Sequence, residues 1–108
     1  MKKYNDISVK ELKHYFDNEK DFVLLDIREK FELNIASISN SIHIPMMEIP
    51  TKLDQLNPKK EIIVLCKSGV RSAKVCEFLC LNNYHNVKNV SGGIKAWSLE
   101  IDNTIPLY

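Results

Sequence analysis

Ile62-Ile63-Val64-Leu65-Cys66-Lys67-Ser68-Gly69-Val70-Arg71-Ser72 runs an apolar strand into a cysteine, a short glycine-containing loop and a helix start. A thiol is a weak nucleophile until its pKa falls, and it falls where backbone N–H groups, a helix N-terminus and cationic side chains converge on the sulfur. This stretch offers all three close together. Lys67 and Arg71 supply positive charge, Gly69 lets the loop curl so that its amides face inward as an anion nest, and Ser72 opens the helix. Cys66 is therefore the expected nucleophile, and Lys67, Ser68, Gly69, Val70, Arg71 and Ser72 form the expected substrate-binding loop. The expected chemistry is cysteine attack on an anionic or sulfur-bearing substrate. A nucleophile that is already anionic needs no general base, which fits the lack of a Cys/His couple near the loop.

The surrounding elements must hold that loop. Ser8 and Glu11 read as a capping box, and Val9, Leu12, Tyr15 and Phe16 recur at helical spacing up to Asn18, so the chain is expected to open with a short helix. Phe22-Val23-Leu24-Leu25, closed by Asp26, reads as a strand buried on both faces of a parallel sheet. A short helix over 28–34, a short strand over 41–44 ended by Pro45, and a helix over 46–56 that Pro50 makes irregular or split come next. After a turn at 57–60 comes the strand 61–65 that delivers Cys66. Val75, Phe78, Leu79 and Asn82 give 72–81 the pattern of an amphipathic helix. A last strand at 86–90, a turn at Ser91-Gly92-Gly93 and a helix over 94–100 carrying Trp97 complete the order. Such alternation predicts an α/β domain with a mainly parallel central sheet flanked by helices on both faces. Sites in such sheets lie at the carboxyl ends of strands, where both Asp26 and Cys66 fall. Asp26 and Arg28 are expected to support that rim as an ion pair rather than to touch substrate.

Composition narrows the field further. At 108 residues and 44% hydrophobic content, residues 1–108 are expected to make one domain with one core. Fifteen Lys and Arg against fourteen Asp and Glu leave a charge of +1, so no global field argues for nucleic acid or a membrane as partner. The N-terminus lacks the apolar run of a signal peptide and no run is long enough to span a bilayer, so a cytoplasmic protein is expected. Three cysteines are an odd, sparse set that suits reduced thiols rather than a disulfide framework. Cys76 and Cys80 are spaced to pair on one helix face, with His85 beyond, but no second ligand pair has zinc spacing, so packing and no metal are expected. His14 and His43 are expected to be structural or exposed, and Gly92, Gly93 and Trp97 to serve geometry and packing.

Cys66 through Ser72 resembles the active-site loop of the rhodanese (sulfurtransferase) family, which is a cysteine, four residues and an arginine, then Ser or Thr. Asp26-Ile27-Arg28-Glu29 with Glu32 is similar to the family's Asp-Val-Arg segment, Ile44-Pro45 to its Ile-Pro, and Ser91-Gly92-Gly93 with Trp97 to its Gly-Gly and Trp ending. Residues 36–41 depart from the Gly-His-Ile-Pro-Gly-Ala of many members. That looser segment is similar to the C-terminal rhodanese domain of molybdopterin-synthase adenylyltransferase/sulfurtransferases. Ile44-Pro45-Met46 with Glu48-Ile49, Gly92-Gly93-Ile94 with Ala96-Trp97, and the tail from Asp102 through Pro106 to Tyr108 share that resemblance.

The resemblance implies that Cys66 takes a sulfane sulfur, from thiosulfate or a persulfidic protein, as a covalent persulfide with no other cofactor. It further implies transfer to a ubiquitin-like sulfur-carrier protein, activated by an adenylyltransferase, in molybdopterin or thiamine type cofactor synthesis. The adenylating domain is not in these residues. Three other functions bear on the same loop. A free-standing thiosulfate sulfurtransferase would use small thiols or cyanide as acceptors. A cysteine phosphatase or arsenate reductase carries one more residue between Cys and Arg, and Ser72 occupies the place of that arginine. A purely partner-binding module would be signalled by loss of the cysteine, which is present.

Overall fold

Two strands, Val23–Asp26 and Ile62–Leu65, lie where the sequence concentrates β-branched and leucine side chains. The computed structural model describes residues 2–108. In chain order these are β1 (Asn5–Ile7), α1 (Val9–Asp17), β2 (Val23–Asp26), α2 (Lys30–Ile35), β3 (Ser41–His43), β4 (Ile62–Leu65), α3 (Val70–Leu81), β5 (Val87–Val90) and α4 (Gly93–Glu100). Two 3-10 stretches, Met46–Thr51 and Leu53–Gln55, join β3 to β4.

The strands form one parallel sheet in the order β1-β5-β4-β2-β3. β4 is central and fully buried, and its alternating side chains feed two cores. Ile62, Val64 and Cys66 share one core with Val75, Cys76 and Leu79 of α3. Ile63 and Leu65 share the other with Leu12 of α1 and Ile94 and Trp97 of α4. Helices therefore cover both faces of a parallel sheet, as the alternation predicts. From β2 the chain moves outward to β3, whereas from β4 it moves the opposite way to β5. The segments leaving β2 and β4 thus diverge at their carboxyl ends, and a crevice opens where strand order reverses. Asp26 is opposite Leu65 in register, so β2 and β4 reach that crevice together.

Several boundaries differ from the sequence expectation. The chain opens on β1 rather than on a helix: Asn5 pairs with Lys88 and Ile7 with Val90 at the sheet edge. Only Ile7 of that strand is buried, so it leaves no apolar pattern to read. Residues 46–56 are not an α-helix, because Pro50 has no N–H to donate and its ring blocks the preceding turn. Tyr84 instead anchors this stretch, its hydroxyl 2.7 Å from the Leu53 carbonyl and 3.1 Å from that of Leu56. α2 starts at Lys30, after the Glu29 N–H has donated to the Glu32 carboxylate. Among the described residues, no helix is long and apolar enough to cross a membrane.

Candidate active site

Cys66 continues the inward alternation of β4, so its Sγ points toward α3 at 1% exposure of the residue. Gly69 then takes φ +102, a left-handed conformation in which L side chains are strained, and caps the N-terminus of α3. That reversal turns its N–H back onto Sγ at 3.1 Å. The Ser72 hydroxyl lies 3.2 Å from the same sulfur. Burial pushes the Cys66 thiol up, but hydrogen bonds from the Ser72 side chain and from the N–H groups of Ser72, Gly69 and Ser68 outweigh it, and the thiol ionises below its ordinary range.

Two assignments from sequence are corrected here. Ser72 does not open the helix; α3 begins at Val70, and Ser72 is a fully buried residue of its first turn. Its hydroxyl also meets Asn89 Oδ1 on β5, so its single proton has two acceptors, Cys66 Sγ and Asn89 Oδ1, while Asn89 Nδ2 donates to the Gly69 carbonyl at 3.1 Å. One asparagine thereby holds both a hydroxyl and a carbonyl of the cysteine loop. Arg71 and Lys67 are not the main cause of the lowered thiol pKa, which rests on the hydrogen-bond donors above. The Arg71 guanidinium instead donates to both oxygens of Glu32 at 2.8 Å each. It fastens the loop after β4 to the helix after β2, across the crevice.

Asp26 and Arg28 form the ion pair expected at the rim, and both are fully buried. Arg28 Nη2 is 2.7 Å from Asp26 Oδ2 and Nε is 2.9 Å from Oδ1. The same guanidinium donates to the Ala36 carbonyl at 2.8 Å and to the Tyr108 hydroxyl at 2.9 Å. That hydroxyl donates in turn to Glu32 at 2.8 Å. Glu32 therefore accepts from Arg71, Tyr108 and the Glu29 N–H, and the Arg71 guanidinium above all holds its carboxyl well down, to about 2. His43 Nε2 is 2.6 Å from the Arg28 carbonyl, a structural role.

α4 closes the floor. The N–H groups of Ile94 and Lys95 donate to the carbonyls of Cys66 and Lys67 at 2.9 and 3.0 Å. With its carbonyls occupied on that side, the loop turns N–H groups toward the sulfur. Gly93, at φ +60, makes this approach feasible, since a Cβ there would run into the Cys66 and Lys67 carbonyls. Ser68 and Val70 face solvent at the loop's tip, and Lys67 lies over the Tyr108 ring. Cys76 and Cys80 are buried in the core on α3, and burial pushes both thiols up. Among the described residues, no three His, Cys, Asp or Glu side chains cluster as metal ligands.

Sequence reasoning missed Asn89 and the anchoring roles of Glu32 and Tyr108. The signal for Asn89 was a polar residue inside the short strand Val87–Val90, at a position the alternation buries. Glu32 and Tyr108 meet Arg71 and Arg28 through contacts up to 80 residues apart, which leave no local pattern.

The model of the rhodanese-like domain family matches residues 8–100. A sulfurtransferase of Allochromatium vinosum is 31% identical over 94 residues, covering 87% of this chain and 88% of that protein. The adenylyltransferase and sulfurtransferase MOCS3-2 of Zea mays is 33% identical over 109 residues, covering 94% of this chain but only 23% of that protein. Among solved structures, a rhodanese-like domain protein from Staphylococcus aureus superposes with TM-score 0.83 at 34% identity, covering 96% of this chain and 98% of that one. Together with the parallel sheet and the cysteine loop at its switch point, these likenesses show that the chain belongs to the rhodanese-like domain family, a family of sulfurtransferases.

Proposed function

We propose that this protein is a sulfurtransferase that carries sulfane sulfur as a persulfide on Cys66 and hands it to a nucleophilic or activated acceptor. The observation that carries this reading is the cradle of backbone N–H donors around Sγ, from Gly69, Ser72 and Ser68. Such donors stabilise a thiolate and equally a Cys-S-S⁻, because an amide N–H gives a hydrogen bond without a proton to lose. With thiosulfate as donor, the Cys66 thiolate attacks the outer sulfur, a new S–S bond forms, the old one breaks, and sulfite leaves with the bonding pair. The terminal sulfur of the persulfide then attacks an acyl adenylate and expels AMP, leaving an acyl disulfide on Cys66 from which an external thiol, forming a disulfide with Cys66, releases the thiocarboxylate; or the terminal sulfur is itself attacked by a thiolate or cyanide, and the S–S bond breaks to return the Cys66 thiolate. Cys66, Lys67, Ser68, Gly69, Val70, Arg71 and Ser72 form the reacting loop, while Asp26 and Arg28 support it from β2.

Likeness to MOCS3-2 supports a sulfur-carrier protein with an adenylated C-terminal glycine as acceptor. Coverage of 88% of the Allochromatium sulfurtransferase supports a second reading, a free-standing enzyme with small acceptors. Free, reduced cysteines suit the cytoplasm as compartment. The test is intact mass after incubation of the reduced protein with thiosulfate, beside Cys66→Ser, with cyanide then added to each. A gain of one sulfur that requires Cys66 and is discharged by cyanide is expected; an alkylatable, folded Cys66 that gains nothing would overturn the reading. Pull-down with a Gly-Gly-ended carrier protein separates the two acceptors.

A further inference from the structure

Lys67 follows the nucleophile directly, yet among the described residues no carboxylate pairs with its ammonium. Its Nζ instead lies 4.6 Å from the ring centroid of Tyr108. An aromatic face attracts a cation through its quadrupole without cancelling the charge, as a carboxylate would. The other loop cation, Arg71, is already neutralised by Glu32, so Lys67 carries the positive charge the loop has left to offer.

Tyr108 is itself firmly held. Its hydroxyl accepts from Arg28 and donates to Glu32, joining the Asp26–Arg28 pair to the Glu32–Arg71 pair. The lysine backbone is held as well, through the Lys95 N–H on its carbonyl. With both ends fixed, the ring decides where the ammonium rests. Beside it a cavity of about 140 Å³ opens between Lys67, Ile94, Lys95, Pro106, Leu107 and Tyr108.

We infer that Tyr108 is a positioning residue that sets donor specificity: its ring holds the Lys67 ammonium beside the cysteine loop so that anionic sulfur donors are favoured over uncharged ones. The inference rests on the sulfurtransferase reading above and assigns its charge selectivity to one aromatic contact.

The test compares thiosulfate with an uncharged dialkyl trisulfide as donor, each with the same excess thiol, which takes the remaining alkylthio group as a disulfide and leaves the persulfide, in the wild type, Tyr108→Leu, Tyr108→Phe and Lys67→Gln. Relative to Tyr108→Phe, which loses the same hydroxyl bonds but keeps the ring, Tyr108→Leu is expected to raise KM for thiosulfate about two- to fivefold, the loss of one cation–aromatic contact, with no such difference between the two variants for the trisulfide. Tyr108→Phe keeps the ring, and the cost of its lost hydroxyl falls on both donors alike, so its ratio of thiosulfate to trisulfide KM should match that of the wild type. Added to Lys67→Gln, the leucine substitution should contribute nothing further. A thiosulfate KM no higher in Tyr108→Leu than in Tyr108→Phe, or an equal rise for the trisulfide, would overturn the inference. A wild type that takes sulfur from neither donor overturns the sulfurtransferase reading and this inference with it. Should Tyr108→Leu fail to fold, the Lys67 ε-methylene proton shifts of the wild type decide: an upfield ring-current shift is expected, and unshifted resonances overturn the inference.

Discussion

Glu32→Gln removes the charge that four hydrogen bonds converge on while keeping the side chain's shape. Lowering a carboxyl from its ordinary 4.5 to about 2 corresponds to about 3 kcal/mol of stabilisation above the ordinary pKa. The Arg71 side chain is 35% exposed, so solvent screens part of the pair and the expected loss at pH 7 is about 2 kcal/mol. The sign with pH follows from the direction of the shift. A carboxyl lowered by folding contributes fully above its ordinary 4.5, and the contribution drains away as pH falls toward about 2. Urea unfolding of both proteins from neutral pH to about pH 3 reads this directly. The gap between wild type and variant should be widest at neutral pH and lose more than half its size by about pH 3. A gap of constant size across that range would refute the claim that the Glu32 charge, rather than its packing, supports the loop.

Three further outcomes follow from the same contacts. Asp26→Asn strands the fully buried Arg28 guanidinium without its counter-charge, and chemical denaturation should show a loss of about 3–5 kcal/mol; under about 1 kcal/mol would refute the pairing. Gly93→Ala places a Cβ against the Cys66 and Lys67 carbonyls at a left-handed φ, and should destabilise by about 2–3 kcal/mol in thermal unfolding, a wild-type midpoint counting against the close approach. In native protein, iodoacetamide should label Cys66 ahead of Cys76 and Cys80, whose thiols burial pushes up, and Ser72→Ala should move the pH midpoint of that labelling upward; an unmoved midpoint would dismiss the serine hydroxyl as a thiolate donor.

The cysteine loop and its supporting strand were legible because their determinants are local. An apolar run of four residues, a cysteine, a glycine and a helix start occupy consecutive positions. The parallel sheet followed from alternation of elements, and Asp26 beside Arg28 is a short-range pair. What escaped reading was set by partners distant in sequence. β1 exists because β5 offers it an edge, not because Asn5-Asp6-Ile7 favours a strand. Arg71 reads locally as a cation that orders the loop or attracts the donor's charge, and what the sequence does not show is its partner Glu32, 39 residues earlier. The donor from Ser72 reads as a helix cap until Asn89, 17 residues later, draws it inward. The 3-10 stretches were half legible: Pro50 announced the irregularity, but the Tyr84 hydroxyl that fixes it lies 28 and 31 residues away.

The floor that α4 lays under the loop makes thiol reactivity a late product of folding. The groups that draw the Cys66 carbonyl aside, Gly93 to Lys95, are synthesised well after the cysteine leaves the ribosome, as is the Asn89 that orients Ser72. The thiol at position 66 is therefore ordinary in an unfolded chain, and it turns acidic where the loop's N–H groups face it, a geometry that β5 and α4 hold in place. The pH midpoint at which that one sulfur is alkylated is thus a readout of a completed floor beneath the loop.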